Sequence, residues 1–155
     1  MLFDMTLVER VTQDLTAAMK SQDAPRTSAL RMAKAALKNR EIDKRSALDD
    51  AEAVRVLQGL VKQREDSIFQ FRKANRPELV QKEQAELDVL RAYLPEEASE
   101  AEIEKAVETA VAETGASSAK DIGRAMKAAL AELGKAGKPA DGKRVNDAVR
   151  RRLAS

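Results

Sequence analysis

The chain has no cysteine, no histidine and no tryptophan, and aromatic residues make up only 3% of its 155 positions. The absence of cysteine rules out a disulfide framework and a thiolate nucleophile. The absence of histidine removes the side chain most used for proton transfer near neutrality and for metal ligation. What remains is carboxylate, lysine or serine chemistry, and no recognised pairing of those groups occurs. We therefore nominate no catalytic residue, no metal ligand and no cofactor. Long apolar runs are also missing. None reaches bilayer-spanning length, and the opening MLFDMTLV is too short and too acidic for a signal peptide. A cytoplasmic, bacterial-type protein without a membrane partner is the expectation.

Ala, Leu, Glu, Lys and Arg dominate, all of them helix formers, and 43% hydrophobic content is enough for a core. The expected class is all-α. The formal net charge of +2 is small, so any information in the charges lies in their placement.

In chain order, the apolar spacing of Leu7, Val8, Val11, Leu15, Ala18 and Met19 predicts a first amphipathic helix over 6–20. Ser21, Asp23 and Pro25 mark a turn. A second helix over 26–42 buries Leu30, Ala33, Ala36 and Leu37 and lines up Arg31, Lys34 and Lys38 on another face. That stripe is either a solvated surface or a secondary basic binding face.

Asp49 with Glu52 three residues on is a capping signature for the longest helix, running to about residue 74. Its seam of Val54, Leu57, Val61, Ile68 and Phe71 includes one charge, Arg64. After a turn at Asn75 and Arg76, Pro77 opens a helix to residue 94 whose seam includes Glu83. If the two helices fold back about that turn, residue numbers facing each other sum to about 151, which brings Glu83 within a turn of Arg64 or Arg72. A partly buried bridge, Arg64 with Glu83, is predicted as a register-fixing device. Pro95 ends this part, giving an N-terminal helical domain over 1–94 with a long helical hairpin.

Residues 95–155 read as a C-terminal three-helix bundle. Ser99 with Glu102 caps a helix that Gly115 stops, Ser118 with Asp121 opens a second that Gly134 stops, and Asp141-Gly142 precedes the last. Between Pro95 and Ser117 there are seven acids and one base, and from Ser118 to Ser155 ten bases and four acids. The acidic part would orient the basic edge toward a polyanion, or the two charge sets would attract each other. On the basic side Lys120, Arg124 and Lys127 share a helix face. In the last helix Lys143, Arg144, Asn146, Arg150 and Arg151 lie outside the apolar arc, while Arg152 falls inside it. Gly123, inside a helix, points to close packing or to close approach of a ligand, with packing favoured.

The phrases ALRMAKAALKNREI, VKQREDSIFQFRKANRPELVQKEQAEL, LRAYLP, AETGASSAKDIGRAMKAAL and ADGKRVNDAVRRRL span nearly the whole chain and resemble the stand-alone members of the GatB/YqeY family. The resemblance implies an N-terminal helical unit with a long hairpin and a three-helix domain similar to the tail of the B subunit of aspartyl/glutamyl-tRNA amidotransferase. In that enzyme the tail helps hold tRNA, whereas the kinase and transamidation chemistry sits in a large cradle that this chain lacks. Carried onto the matching phrases, the candidate RNA contacts are Lys120, Arg124, Lys127, Lys138, Lys143, Arg144 and Asn146, with Arg150 and Arg151 beside them. With so few aromatics, phosphate and shape recognition is expected in place of base stacking.

Three functional readings follow. The first is a non-catalytic module that binds tRNA or accompanies a tRNA amidotransferase or aminoacyl-tRNA synthetase component. The second is a protein-interaction adaptor. The third is carbon-nitrogen ligase activity with glutamine as amido donor, which rests on family association alone.

Overall fold

The computed structural model describes residues 5–154, and every regular element among them is helical. The first four residues of MLFDMTLV lie outside that range. The elements are α1 (Leu7–Lys20), α2 (Ala24–Lys44), α3 (Asp50–Lys73), α4 (Pro77–Arg91), α5 (Glu100–Thr114), α6 (Ile122–Lys135) and α7 (Gly142–Ala154), with a 3-10 turn at Ala119–Asp121. Contacts divide the chain into two compact units, Met1–Leu94 and Pro95–Ser155.

The helix starts are local chemistry. Thr6, Asp49 and Ser99 each accept a hydrogen bond from the backbone N–H three residues on, and Glu9, Glu52 and Glu102 reach back to the cap. α2 begins earlier than the periodicity suggests. Asp23 is its N-cap and Pro25 sits in its first turn, where the missing N–H costs nothing, so the proline read as a breaker in fact belongs to the helix. α5 stops at Gly115, whose φ of 68° suits a residue without a Cβ. The turn between α3 and α4 is made by Asn75 at φ 55°.

In the first unit α1, α2, α3 and α4 enclose one core, with Val11, Leu30, Leu37, Leu57, Leu87 and Leu90 fully buried. Burying a leucine side chain stabilises by roughly 1.5–3 kcal/mol, so this cluster is the main source of the unit's stability. Met19 departs from expectation. It sits one residue before the end of α1 with 44% of its surface exposed, while its neighbour Ala18 is buried. In the second unit α5, α6 and α7 pack pairwise around Ile103, Val107, Ala129, Val145 and Val149.

Two further expectations are corrected in α6. Gly134 does not stop it. The helix runs one residue further to Lys135, and Gly137, at φ 67°, reverses the chain instead. Gly123 is exposed, and a Cβ there would meet nothing within 4 Å, so close packing is not its role.

Candidate nucleic-acid interface

The cations of the second unit fall into two groups. Lys138 lies 3.3 Å from Glu96 and 3.7 Å from Glu102. Arg144 lies 2.9 Å from Glu100 and 3.9 Å from Glu97, and Arg151 is 3.9 Å from Glu100. Arg152, the misfit of the apolar arc, turns its guanidinium to Glu108. α5 and the segment before it therefore neutralise one side of α7. The two charge sets attract each other within the unit. A phosphate arriving at Lys138, Arg144 or Arg151 would have to compete with a carboxylate already present, which removes much of the field the charge count suggests.

The second group keeps its charge toward solvent. Lys120, Lys127 and Lys143 are exposed and none has an ion-pair partner among the described residues. Arg124 is exposed and contacts Asp121 at 2.8 Å. Asp121 is held by the local fold: its carboxylate accepts from the Ser117 and Ser118 N–H groups at 2.9 and 3.3 Å. The Ser117 bond, more than Arg124, keeps its pKa below the ordinary aspartate value. Asn146 Nδ2 on α7 donates to Met126 Sδ on α6 at 3.0 Å, and Arg150 Nε donates to Asn146 Oδ1 at 2.7 Å. Through Met126 and Asn146 the α7 stripe Lys143, Asn146, Arg150 is joined to α6 next to Lys127. Asp147 is exposed on the same side of α7 without reaching any of these cations within ion-pair distance.

The stripe on α2 belongs to the first unit. Arg31, Lys34 and Lys38 are exposed and have no carboxylate within ion-pair distance among the described residues. Arg64 is nearly enclosed in the first unit's core, 6% exposed, with Nη1 at 2.9 Å from Glu83 and 2.7 Å from Glu86. The apolar spacing of α4 points to Glu83, yet Glu86, only 3% exposed, is the more deeply held partner. Arg64 and Glu86 sum to 150, within one of the seam value, whereas Arg64 and Glu83 sum to 147, so the facing-number rule favours Glu86 while the apolar spacing favours Glu83. Tyr93 was also missed. It is buried, donates its hydroxyl to Asp14 and lies under the Arg10 guanidinium at 5.3 Å. Burial and then the Asp14 contact push its phenol well above its ordinary pKa. Among the described residues no group of acidic side chains is arranged to hold a metal ion, and no helix is long and apolar enough to cross a membrane.

With that geometry in place, the sequence matches the family described as YqeY-like protein over residues 8–153. The chain belongs to this family. It is 36% identical over 109 residues to "Altered inheritance of mitochondria protein 41, mitochondrial" of Lachancea thermotolerans, a match covering 68% of this chain and 58% of that protein. The protein of the same name from Pyrenophora tritici-repentis is 34% identical over 107 residues, covering 68% of this chain and 59% of its own. That from Eremothecium gossypii is 41% identical over 83 residues, covering 53% and 45%. The chain thus spans about half the length of these relatives. Their names are mitochondrial, where the sequence reading expected a cytoplasmic, bacterial-type protein.

Proposed function

We propose that the protein is a non-catalytic accessory factor that binds tRNA through the α6–α7 side of its C-terminal unit, alongside an amidotransferase or aminoacyl-tRNA synthetase component. The observation that supports this reading is the Met126–Asn146–Arg150 linkage, which ties the α7 stripe carrying Lys143 and Arg150 to α6 at the residue before Lys127. Lys120, Lys127, Lys143 and Arg150 are its phosphate contacts, with Arg124 as a fifth that exchanges Asp121 for phosphate. Lys138, Arg144 and Arg151 serve the unit's own ion pairs and contribute little. The surface has no aromatic ring, which favours a folded RNA read by shape and backbone over a single strand read by stacking.

Four or five phosphate contacts give a slope of log affinity against log salt of about −3 to −4, from roughly 0.7–0.9 per contact. Fluorescence anisotropy of labelled total tRNA over a salt series tests this. Joint replacement of Lys120, Lys127 and Lys143 by Ala should flatten the slope by two to three units, while Arg144→Ala should leave it unchanged. Equal binding by the triple variant and the parent would overturn the proposal. So would equal affinity for tRNA and a random RNA duplex.

A further inference from the structure

The outer face of α2 carries two ridges side by side. Arg31, Lys34 and Lys38 form one, and Met32, Ala35, Asn39 and Ile42 form the other, each residue of the first next in sequence to a residue of the second except at the end. Steps of three and four residues keep each ridge on a single line along the helix. All seven residues are exposed. Met32 is 48% and Ile42 63% exposed, and Met19, 44% exposed at the end of α1, adjoins the basic ridge with its sulfur 3.6 Å from Arg31 Nη2. Three of the five large hydrophobic side chains most exposed in the described structure therefore gather here. Met19, Ala24, Ser28, Arg31 and Met32 line a shallow hollow at the start of the face. Met32 is held in place from beneath, its sulfur 2.8 Å from Arg64 Nη2.

We infer that this face docks an acidic amphipathic helix of a protein partner. The basic ridge has no carboxylate of its own chain within ion-pair distance among the described residues, and α2's own acids, Glu41 and Asp43, lie only in its last turn. A line of carboxylates is the complement it lacks. The second ridge, apolar except for Asn39, selects between anionic partners. A nucleic-acid backbone would engage Arg31, Lys34 and Lys38 and leave Met32 and Ile42 in water, since neither stacks on a base as an aromatic would. A helix with an apolar line beside an acidic one engages both ridges, seats a side chain in the hollow, and uses methionine as an adaptable surface. From Arg31 to Ile42 the face is about 16 Å long at 1.5 Å per residue, which matches three turns of a partner helix. This site is independent of the tRNA reading, which rests on the other unit.

The test uses the full chain and a fluorescein-labelled synthetic helix with leucines at i, i+3 and i+7 and glutamates at the adjoining i+1, i+4 and i+8. Two control peptides replace the glutamates by glutamine or the leucines by serine. Saturable binding is expected, at least tenfold weaker for either control peptide. Lys34→Glu with Lys38→Glu should weaken it at least tenfold and Ile42→Ser several-fold, while Phe69→Ser, an exposed apolar site on α3, should change nothing. Ile42 is 63% exposed and so keeps the apolar test separate from folding. Amide NMR shifts should cluster over residues 28–42. Loss on charge reversal with no response to Ile42→Ser would reduce the face to an electrostatic patch and overturn the inference. Displacement of the peptide by tRNA, with tRNA binding lost on Lys34→Glu and Lys38→Glu, would assign the face to RNA. Self-association in sedimentation that disappears in Ile42→Ser would make a second copy the occupant.

Discussion

Arg64 and Arg144 each reach two glutamates, at 2.7 and 2.9 Å in the first case and 2.9 and 3.9 Å in the second. They differ in surroundings. Arg64 is enclosed by α3, α4 and the sulfur of Met32, and its Nε has no hydrogen-bond partner. Arg144 stands on α7 in contact with water, its side chain 32% exposed. A buried guanidinium has given up hydration that only its carboxylates replace, whereas an exposed one exchanges water for carboxylate at little net gain. The same residue types thus fix the α3–α4 register in one unit and only adjust the surface field in the other.

The sharpest way to break the comparison is Arg64→Ala. It strands Glu86 in the core without a counter-charge and should destabilise the chain by about 3–5 kcal/mol, read as a shift of the urea midpoint. Replacing Arg64 and Glu86 together by Met and Leu should recover most of that loss. If the single and double variants unfold alike, the cost is one of packing and the charge account fails.

Tyr93 extends the same logic to a neutral group. Its folded-state pKa is raised, first by burial and then by Asp14, so the folded chain holds the phenolic proton more tightly than the unfolded chain does. That contribution is fully present below the unfolded value near 10 and is lost as pH rises above it. Tyr93 is the only tyrosine and there is no tryptophan, so absorbance at 295 nm reports it alone. Ionisation should set in above pH 10 and coincide with the loss of helical circular dichroism. Titration near 10 with the helices intact would contradict its burial.

The smallest effect is expected for Arg144→Ala, about 0–1 kcal/mol and weaker still at high salt. A loss comparable to that of Arg64→Ala would show that exposure does not separate the two arginines.

Much of the fold was legible because helix signals are local. Asp49 and Ser99 announce their helices through a partner three residues away, and the apolar spacing of Val54, Leu57 and Val61 marks a face whatever lies opposite. Misreadings came where a local signal has two meanings. Pro25 breaks a helix interior but fits a first turn, and Gly134 resembles a stop yet lies inside a helix that ends one residue later.

The charges of the candidate interface were less legible. Composition gives an acidic stretch beside a basic one, but it does not say which of Lys138, Arg144 and Arg151 meets Glu96, Glu100 or Glu102, because these pairs join residues about 36 to 51 positions apart. Sequence by itself determined the helical class, the caps at Asp49 and Ser99 and the basic stripe of α2, since each depends on spacings of a few residues along one helix. Only the tertiary structure decided that Glu86 joins Glu83 on Arg64, that Met19 faces solvent, and that Arg144 is ion-paired to Glu100 while Lys120, Lys127 and Lys143 have no ion-pair partner among the described residues. Those outcomes depend on which helix faces meet, and that is set by the packing of distant segments into one core.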